Sequence, residues 1–349
     1  MTKTNTPLST RAEEEKIYDK NEVCPFLLKP VCKDYLWGGD KLSKEYGKDA
    51  QINPIAESWE CSTHPDGISK VDSGLYKGML LTELIAKYPE ILGTHPLKVN
   101  GMADLPILVK LIDAGQNASI QVHPDDQYAY IHENGQKGKT EMWYILEAEP
   151  GARLMYGFYQ DMEKETIRRA LKEDDIERYV RKVRVKKDDV FFIEPGQVHA
   201  IGEGVLLAEI QQNSNITYRL YDYKRKDKDG SLRQLHVDKA LDVAGLKGGE
   251  EPRQPMRVLR YQPGGATELL CRCKYFQTER MLINAENNKH ICVLDVGNES
   301  FQILLCLAGK GTICKDEVLD IAKGNCIFIP AGSGRIHLSG NMQLLKIKC

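Results

Sequence analysis

The feature that most constrains the fold of this chain is a series of short apolar runs that end at Gly, Pro, Asn or Asp. The runs include LPILVKLIDA, EMWYILEA, DVFFIEPG, VLLAEIQQ, FQILLCLAG, NCIFIPAG and MQLLKIK. Runs of this length, rich in Ile, Val and Phe and bounded by turn residues, are typical of strands in sandwiches and barrels. The chain has 349 residues, enough for one large or two medium domains. We therefore predict a mainly β protein.

Two stretches depart from this pattern and predict helices. YKGMLLTELIAKYPEILG places Leu81, Leu84 and Ile85 near a 3.6-residue period. DMEKETIRRALKEDDIERYV sets Ile167 and Leu171 on one side of an otherwise charged segment. Apolar residues at this period are typical of helices that pack one face on a core. We expect helices inserted between the β segments.

An internal repeat indicates how the strands are organised. DDVFFIEPGQVHAI (188–201) and KGNCIFIPAGSGRIHL (323–338) both read as a polar turn, an apolar strand, a Pro-Gly or Pro-Ala-Gly turn and then a histidine. This string resembles the second motif of the cupins, which are small double-stranded β-helix (jelly-roll) barrels. Two copies predict two tandem cupin barrels.

The predicted domain boundaries follow from this repeat. We expect a mobile N-terminal arm over residues 1–23, because that segment is polar and charged. We expect a metal-binding catalytic cupin domain with helical insertions over 24–250. A C-terminal cupin-like domain without metal would then cover 251–349.

Possible metal ligands precede only the first copy of the repeat. In SIQVHPDD, Ser119, Gln121 and His123 would share one face of an extended strand. Glu141 opens the next predicted strand, and His199 follows the Pro-Gly turn. Two imidazoles, a carboxylate and an amide oxygen form a mixed N/O set that suits Zn²⁺, with Mn²⁺ or Fe²⁺ as alternatives. The two histidines could instead be hydrogen-bonded structural residues.

The second copy lacks a matching Q-x-H string, and its histidine, His337, lies two positions later than expected. We therefore expect the C-terminal domain to bind no metal and to contribute packing.

Composition limits the classes of partner and the cellular compartment. A formal net charge of -2 gives no electrostatic basis for binding nucleic acid or an anionic membrane surface. The ten cysteines include no C-x-x-C pair, and several lie inside apolar runs. Free thiols in a reducing compartment explain this pattern better than disulfides do, so we predict a cytoplasmic protein.

Six ordered segments resemble one family, the type I mannose-6-phosphate isomerases in their short bacterial form. The resemblance covers about residues 24–245 through YLWGG, IAESWECSTHPDG, LPILVKLIDAGQNASIQVHPDD, GKTEMWYIL, FFIEPGQVHAIGEG and AEIQQNSNITYRLYD. It implies one Zn²⁺ per chain, with the ligands Gln121, His123, Glu141 and His199. Ile201 departs from the aromatic residue of the long-form enzymes.

The resemblance also implies a reaction and the residues that perform it. The expected activity is aldose-ketose isomerisation of mannose 6-phosphate and fructose 6-phosphate through a metal-stabilised enediol. Arg219 falls on the family's catalytic arginine, and Ser119 and Lys139 fall on its substrate-binding serine and lysine. Glu209 is the first candidate for the general base, and Lys139 is the second.

Two alternatives to this function stay open. The chain could be another metal cupin such as a dioxygenase, or a non-enzymatic sugar-binding cupin. In each case the expected partner is a small molecule, a sugar phosphate for the isomerase, and the expected assembly is a monomer or a homodimer.

Overall fold

The computed structural model of the protein describes residues 23–48, 51–100, 104–227, 229–252, 254–285 and 291–349. The predicted N-terminal arm, residues 1–23, lies outside the described residues except for Val23.

Strands dominate the described residues, and helices lie between them. The helices are α1 (Lys41–Tyr46), α2 (Leu81–Lys87), α3 (Thr94–Asn100), α4 (Asp126–His132), α5 (Lys164–Lys172) and α6 (Val237–Val243), with 3-10 helices at Pro89–Leu92 and Ile176–Arg178. The strands up to the middle of the chain are β1 (Phe26–Lys29), β2 (Val31–Lys33), β3 (Glu57–Cys61), β4 (Lys70–Val71), β5 (Ile107–Ala114), β6 (Ile120–Val122), β7 (Glu141–Ala148), β8 (Arg153–Phe158), β9 (Val180–Arg184), β10 (Val190–Ile193) and β11 (His199–Ile201). The remaining strands are β12 (Val205–Gln212), β13 (Tyr218–Tyr221), β14 (Arg260–Gln262), β15 (Gly265–Arg272), β16 (Gln277–Ala285), β17 (Cys292–Val296), β18 (Gln302–Cys314), β19 (Val318–Ala322), β20 (Cys326–Ile329) and β21 (Gly334–Lys348).

The prediction of a mainly β protein with inserted helices is confirmed. Both predicted helical stretches form a helix followed by a 3-10 turn, α2 in the first and α5 in the second. In α5 the buried side chains are Ile167 and Ala170, which face the core while the charged residues face solvent.

Two antiparallel sheets build the part of the molecule that holds the predicted ligands. One sheet has the strand order β10-β7-β12-β5-β3-β2, and the other has the order β13-β6-β11-β8-β9. Their inner faces share one buried apolar cluster, in which Ile112 and Leu207 of the six-stranded sheet pack with Leu154 and Val183 of the five-stranded sheet. The outer face of the five-stranded sheet is covered by α5 and α6, through a cluster that includes Ile167 and Ala240.

A ten-stranded sheet forms the remaining layer and includes strands from both ends of the described chain. Its main order is β14-β15-β16-β21-β18-β20-β1-β4, with β17 and β19 paired to β21 and β18. Phe26 of β1 pairs with Phe328 of β20, and their rings stack with centroids 5.3 Å apart. The large core cluster joins this sheet to the outer face of the six-stranded sheet.

Hydrogen bonding closes none of the three sheets formed by the described residues. The arrangement as two tandem barrels, with a boundary at residue 250, therefore stays a prediction. None of the helices in the described ranges combines the length and the apolarity that crossing a bilayer requires.

Candidate metal centre and active site

The five-stranded sheet places polar side chains side by side on its inner face. Gln121 of β6 pairs with His199 of β11 on one side and with Arg219 of β13 on the other. Residues directly opposite each other on paired strands point to the same face of a sheet. Buried Ser119 donates a hydrogen bond from Oγ to Gln121 Oε1, 3.3 Å away. This row of side chains explains why the strand carries polar residues at alternate positions.

Three of the four predicted ligands meet at one buried point between the two sheets. His123 Nε2 lies 3.6 Å from Glu141 Oε2, and His199 Nε2 lies 3.4 Å from Glu141 Oε1. One ligand atom from each residue lies within 4.8 Å of the others, and all three side chains are buried. The structure thus brings together residues from three separate segments of the sequence.

The hydrogen bonds made by Nδ1 of the two histidines leave a lone pair on each Nε2, directed toward the cluster. His123 Nδ1 lies 2.8 Å from the Ile216 carbonyl, and His199 Nδ1 lies 2.8 Å from the Gln197 carbonyl. A carbonyl only accepts, so each Nδ1 carries the hydrogen and each Nε2 has a lone pair. Burial lowers the pKa of His199 to about 4. Burial and the nearby Lys139 ammonium lower the pKa of His123 well below its usual value, so both rings are neutral.

Glu141 supplies the strongest indication that a cation belongs at this point. Neither of its buried carboxylate oxygens accepts a hydrogen bond, although Lys139 Nζ lies 3.0 Å from Oε2. Burial raises the pKa of Glu141, and the negative charge of Glu209 raises it further. Lys139 compensates the charge at Oε2, and a cation held between the three side chains would compensate the charge at Oε1, which has no hydrogen bond.

Gln121 is placed to complete the ligand set. Its amide nitrogen lies 3.4 Å from His199 Nε2, and a 180° rotation of the amide would turn Oε1 toward the cluster. Two imidazole nitrogens, a carboxylate and an amide oxygen then form a donor set that Zn²⁺ accepts. The residues present therefore fit the expected ion.

The six-stranded sheet contributes a buried ion-pair network that sequence reasoning missed. Lys110 Nζ of β5 lies 3.1 Å from Glu209 Oε1 of β12 and 3.4 Å from Glu57 Oε2 of β3. The same ammonium lies 5.0 Å from the centre of the Trp59 ring. The signal in the sequence was a lysine inside an otherwise apolar strand, LPILVKLIDA, whose eight-residue core is buried throughout.

Glu209 joins this network to the histidine cluster. Its Oε2 accepts a hydrogen bond from Trp143 Nε1 at 2.8 Å, and the Trp143 ring lies 5.3 Å from the His199 ring. Burial favours the neutral acid, but Lys110 and Lys139 outweigh it and hold the pKa of Glu209 below its usual value. Glu209 is therefore an ionised carboxylate that faces two ammonium groups.

Lys139 and Arg219 place positive charge on either side of the cluster. Lys139 is buried, and its Nζ lies 3.2 Å from His123 Nε2. Arg219 is partly exposed, and its Nε is buried without a hydrogen-bond partner. Burial lowers the pKa of Arg219, and so does the neighbouring Arg233, yet a guanidinium keeps its charge at any physiological pH.

The histidine of the second repeat takes no part in this site. His337 is exposed on β21, opposite Val293 of β17 and Cys314 of β18. The metal-capable group found among the described residues does not include it.

Comparisons with known proteins agree with this geometry. The family model described as "Phosphomannose isomerase type I, catalytic domain" matches residues 25–147, and the model described as "Mannose-6-phosphate isomerase, cupin domain" matches residues 266–348. The chain is 35% identical to mannose-6-phosphate isomerase ManA of Bacillus subtilis over 325 residues, which covers 92% of this chain and 98% of the relative.

Solved structures share the fold over nearly the whole chain. A crystal structure of the Bacillus subtilis mannose 6-phosphate isomerase matches with a TM-score of 0.83 at 31% identity, covering 93% of this chain and 99% of that one. A zinc-bound mannose 6-phosphate isomerase matches with a TM-score of 0.71 at 17% identity, over 93% and 99% of the two chains. The buried His-Glu-His cluster thus lies in a chain that belongs to the type I mannose-6-phosphate isomerase family.

Proposed function

We propose that this protein interconverts mannose 6-phosphate and fructose 6-phosphate with one zinc ion held by Gln121, His123, Glu141 and His199. The observation that carries the proposal is the buried cluster of two neutral imidazoles and a carboxylate that accepts no hydrogen bond. Two similar proteins support it, the mannose-6-phosphate isomerase of Bacillus subtilis and the structural neighbour that was solved with zinc bound.

The reaction moves a proton between C2 and C1 of the sugar, and negative charge builds on the sugar oxygens as the proton leaves. If Gln121, His123, Glu141 and His199 hold a zinc ion, they would place a Lewis acid beside that charge, which would be worth several kcal/mol of stabilisation. Arg219 adds a fixed positive charge, because it lies beside Gln121 on the inner face of the five-stranded sheet. A guanidinium does not lose its proton readily, so we assign Arg219 to electrostatic stabilisation.

Two groups could carry the proton between the two carbons. Glu209 is the first candidate from the sequence, but ion pairing with Lys110 lowers its pKa and makes it a weak proton acceptor. Lys139 lies within 3.2 Å of His123 Nε2 and 3.0 Å of Glu141 Oε2. Both groups therefore stay candidates for proton transfer: Glu209 is ionised but paired with Lys110, and Lys139 carries its own proton as an ammonium beside Glu141.

Ser119 has a contact that suits a supporting role. Its hydroxyl lies 3.3 Å from Gln121 Oε1, and once the amide is rotated so that Oε1 faces the cluster, the same hydroxyl can accept a hydrogen bond from Nε2 and restrain the amide. We propose that Ser119 orients this amide and that it also contacts the substrate.

The test combines metal analysis with an assay of turnover. We expect about one zinc per chain in the purified protein, loss of mannose 6-phosphate isomerisation after chelation, and recovery when zinc is restored. His337→Ala is the matched control, because it removes an exposed histidine far from the cluster in sequence. Full turnover after complete removal of metal would contradict the role of zinc.

The same experiment separates the alternatives. Oxygen consumption with any sugar substrate would indicate a metal dioxygenase. Sugar phosphate binding without turnover, in protein that contains zinc, would indicate a binding module.

We further propose that the protein works in the cytoplasm on a small sugar phosphate. All ten cysteines are free, and Cys61, Cys292, Cys306 and Cys326 are buried, as suits a reducing compartment. Sedimentation of the zinc-loaded protein would show whether it is a monomer or a homodimer.

A further inference from the structure

The segment that follows Arg219 brings a second guanidinium to the same side of the site. Asp222 is buried directly after β13 and faces two arginines further along the chain. Arg225 donates a hydrogen bond to Asp222 Oδ1, and Arg233 Nη1 lies 3.3 Å from the same oxygen. A single carboxylate therefore faces both side chains.

The two arginines differ in how much of their hydrogen-bonding capacity is used within the protein. Arg225 Nη1 donates to the Asn117 carbonyl at 2.6 Å, and its Nε donates to the Asp222 carbonyl at 3.3 Å. Arg225 thus fastens the segment to the loop before β6. The contact of Arg233 with Asp222 uses Nη1 and leaves a planar group with several further donors.

Aromatic packing sets the position of Arg233 relative to the active site. Its guanidinium lies 5.8 Å from the centre of the Tyr35 ring, which lies 5.8 Å from the Trp37 ring. Both aromatic residues pack on the cluster between the two sheets that includes Trp143. Trp143 in turn contacts His199, so a chain of aromatic contacts connects Arg233 to the side of the cluster on which His199 lies.

Four charged groups act on the hydroxyl of Tyr35. Burial raises the pKa of Tyr35 to about 12, and Glu57 also raises it, while Lys110, Arg219 and Arg233 oppose the shift. These four charged groups therefore lie near one hydroxyl.

Positive charge exceeds negative charge around Arg233. Arg225 and Arg233 both contact Asp222, while Arg219 lies near Asp222 and near Glu57, and Glu57 also lies 3.4 Å from Lys110. The Arg219 Nε is buried without a hydrogen-bond partner. Arg233 keeps a side-chain exposure of 14%, enough for a ligand to reach it. Two guanidiniums with open donors suit an anion with several oxygens.

We propose that Arg233 binds the phosphate group of the sugar phosphate, while the neighbouring Arg219 acts on the charge that develops on the sugar oxygens. This inference rests on the proposed function, because it names the residue that would recognise the phosphate of that substrate. Arg233 then determines specificity for phosphorylated sugars, and the zinc cluster holds the other end of the same molecule.

The test is Arg233→Gln in the zinc-loaded, full-length protein. We expect KM for mannose 6-phosphate and the inhibition constant of inorganic phosphate to rise about 10- to 100-fold, as for loss of a charged hydrogen bond. The change in kcat should be smaller, and the zinc content should not change. Arg233→Lys keeps the charge beside Asp222 and should recover part of the affinity, but not all of it, because it lacks the planar fork.

Lys226→Gln is the matched control, because it removes an exposed positive charge from the same segment. It should change both constants less than twofold. If KM rises as much in Lys226→Gln as in Arg233→Gln, the effect comes from long-range attraction between the segment's positive charge and the phosphate. That result would overturn the proposal. An unchanged KM and an unchanged phosphate inhibition constant in Arg233→Gln would also overturn it, while zinc-dependent turnover in the parent would leave the isomerase function intact.

If Arg233→Gln does not fold, Arg233→Lys decides alone. Parent-like constants in Arg233→Lys would contradict a phosphate contact made through the guanidinium fork. If the parent has no isomerase activity, calorimetric titration with inorganic phosphate gives the same comparison. Weaker phosphate binding in Arg233→Gln than in the parent would then support the anion site, although the proposed function had failed.

Discussion

The two copies of the strand-turn-histidine string fold into similar local structures but end in different surroundings. In the first copy β10 leads through a turn to β11, where His199 is buried between β6 and β8. In the second copy β20 leads through a turn to β21, where His337 is exposed. In each copy the string supplies a single histidine. The side chains on the neighbouring strands then decide whether that histidine joins a metal-capable group.

The neighbours differ in chemistry at each equivalent position. Gln121 lies opposite His199, and Glu141 reaches the same point from the facing sheet. His337 instead lies opposite Val293 and Cys314, and its chain neighbours Ile336 and Leu338 point to the other face, where they belong to an apolar cluster. One half of the molecule therefore gathers metal-capable side chains around its histidine, and the other does not.

His199→Ala should have the largest effect on this comparison. It removes a ligand from the buried cluster, so we expect loss of bound zinc and a fall in kcat/KM of at least about a thousandfold, or ~4 kcal/mol. Metal analysis and the isomerase assay measure the two effects together. Zinc content equal to that of the parent would contradict the assignment of His199 as a ligand.

Arg219→Ala should separate metal binding from catalysis within the same half. The side chain lies beside Gln121 and does not belong to the His-Glu-His group. We expect full zinc content and a fall in kcat of about 100- to 1,000-fold, similar to the loss of one donor that stabilises an oxyanion. Parent-like kcat would remove Arg219 from the mechanism.

Glu209→Gln should lower stability more clearly than it lowers zinc binding. It leaves the buried Lys110 ammonium with Glu57 as its close carboxylate partner. We expect the free energy of unfolding to fall by about 2–4 kcal/mol, as when a buried ion pair loses one partner. Urea unfolding of the metal-free proteins measures this change. A fall in kcat larger than that of Lys139→Met would instead identify Glu209 as the group that moves the proton.

His337→Ala should have the smallest effect and so complete the comparison between the two copies. An exposed side chain away from special features changes stability by about 0.5 kcal/mol or less. Zinc content, kcat and KM should equal those of the parent. Loss of zinc in this variant would mean that the C-terminal sheet holds a ligand after all.

The buried group of His123, Glu141 and His199 could be predicted from the sequence because its signal is local. The alternation of Ser119, Gln121 and His123 and the Pro-Gly turn before His199 are visible in short strings. Lys110 and Glu57 were missed, because their roles depend on pairing between strands far apart in the sequence, with β5 beside β3 and β12. Arg233 depends on a loop that folds back onto Tyr35, and no spacing rule indicates such a contact.

The strands and helices could be predicted from local sequence patterns, but the membership of two strands in their sheet could not. Apolar runs and turn residues indicated strands, and the 3.6-residue period indicated α2 and α5. The membership of β1 and β4 in the ten-stranded sheet was not predictable, because their short apolar strings fit either half of the molecule. The pairing of β1 with β20 and the packing of Phe26 on Phe328 show which half they complete.

The pairing of β1 with β20 has a consequence for synthesis on the ribosome. Phe26 emerges about 300 residues before its partner Phe328, a delay of roughly 15–60 s at ordinary elongation rates. During that interval the nascent β1 exposes an unsatisfied backbone edge and an aromatic side chain, which are features that chaperones recognise. Emergence of β20, rather than completion of the metal site, is then the event that allows the last layer to assemble.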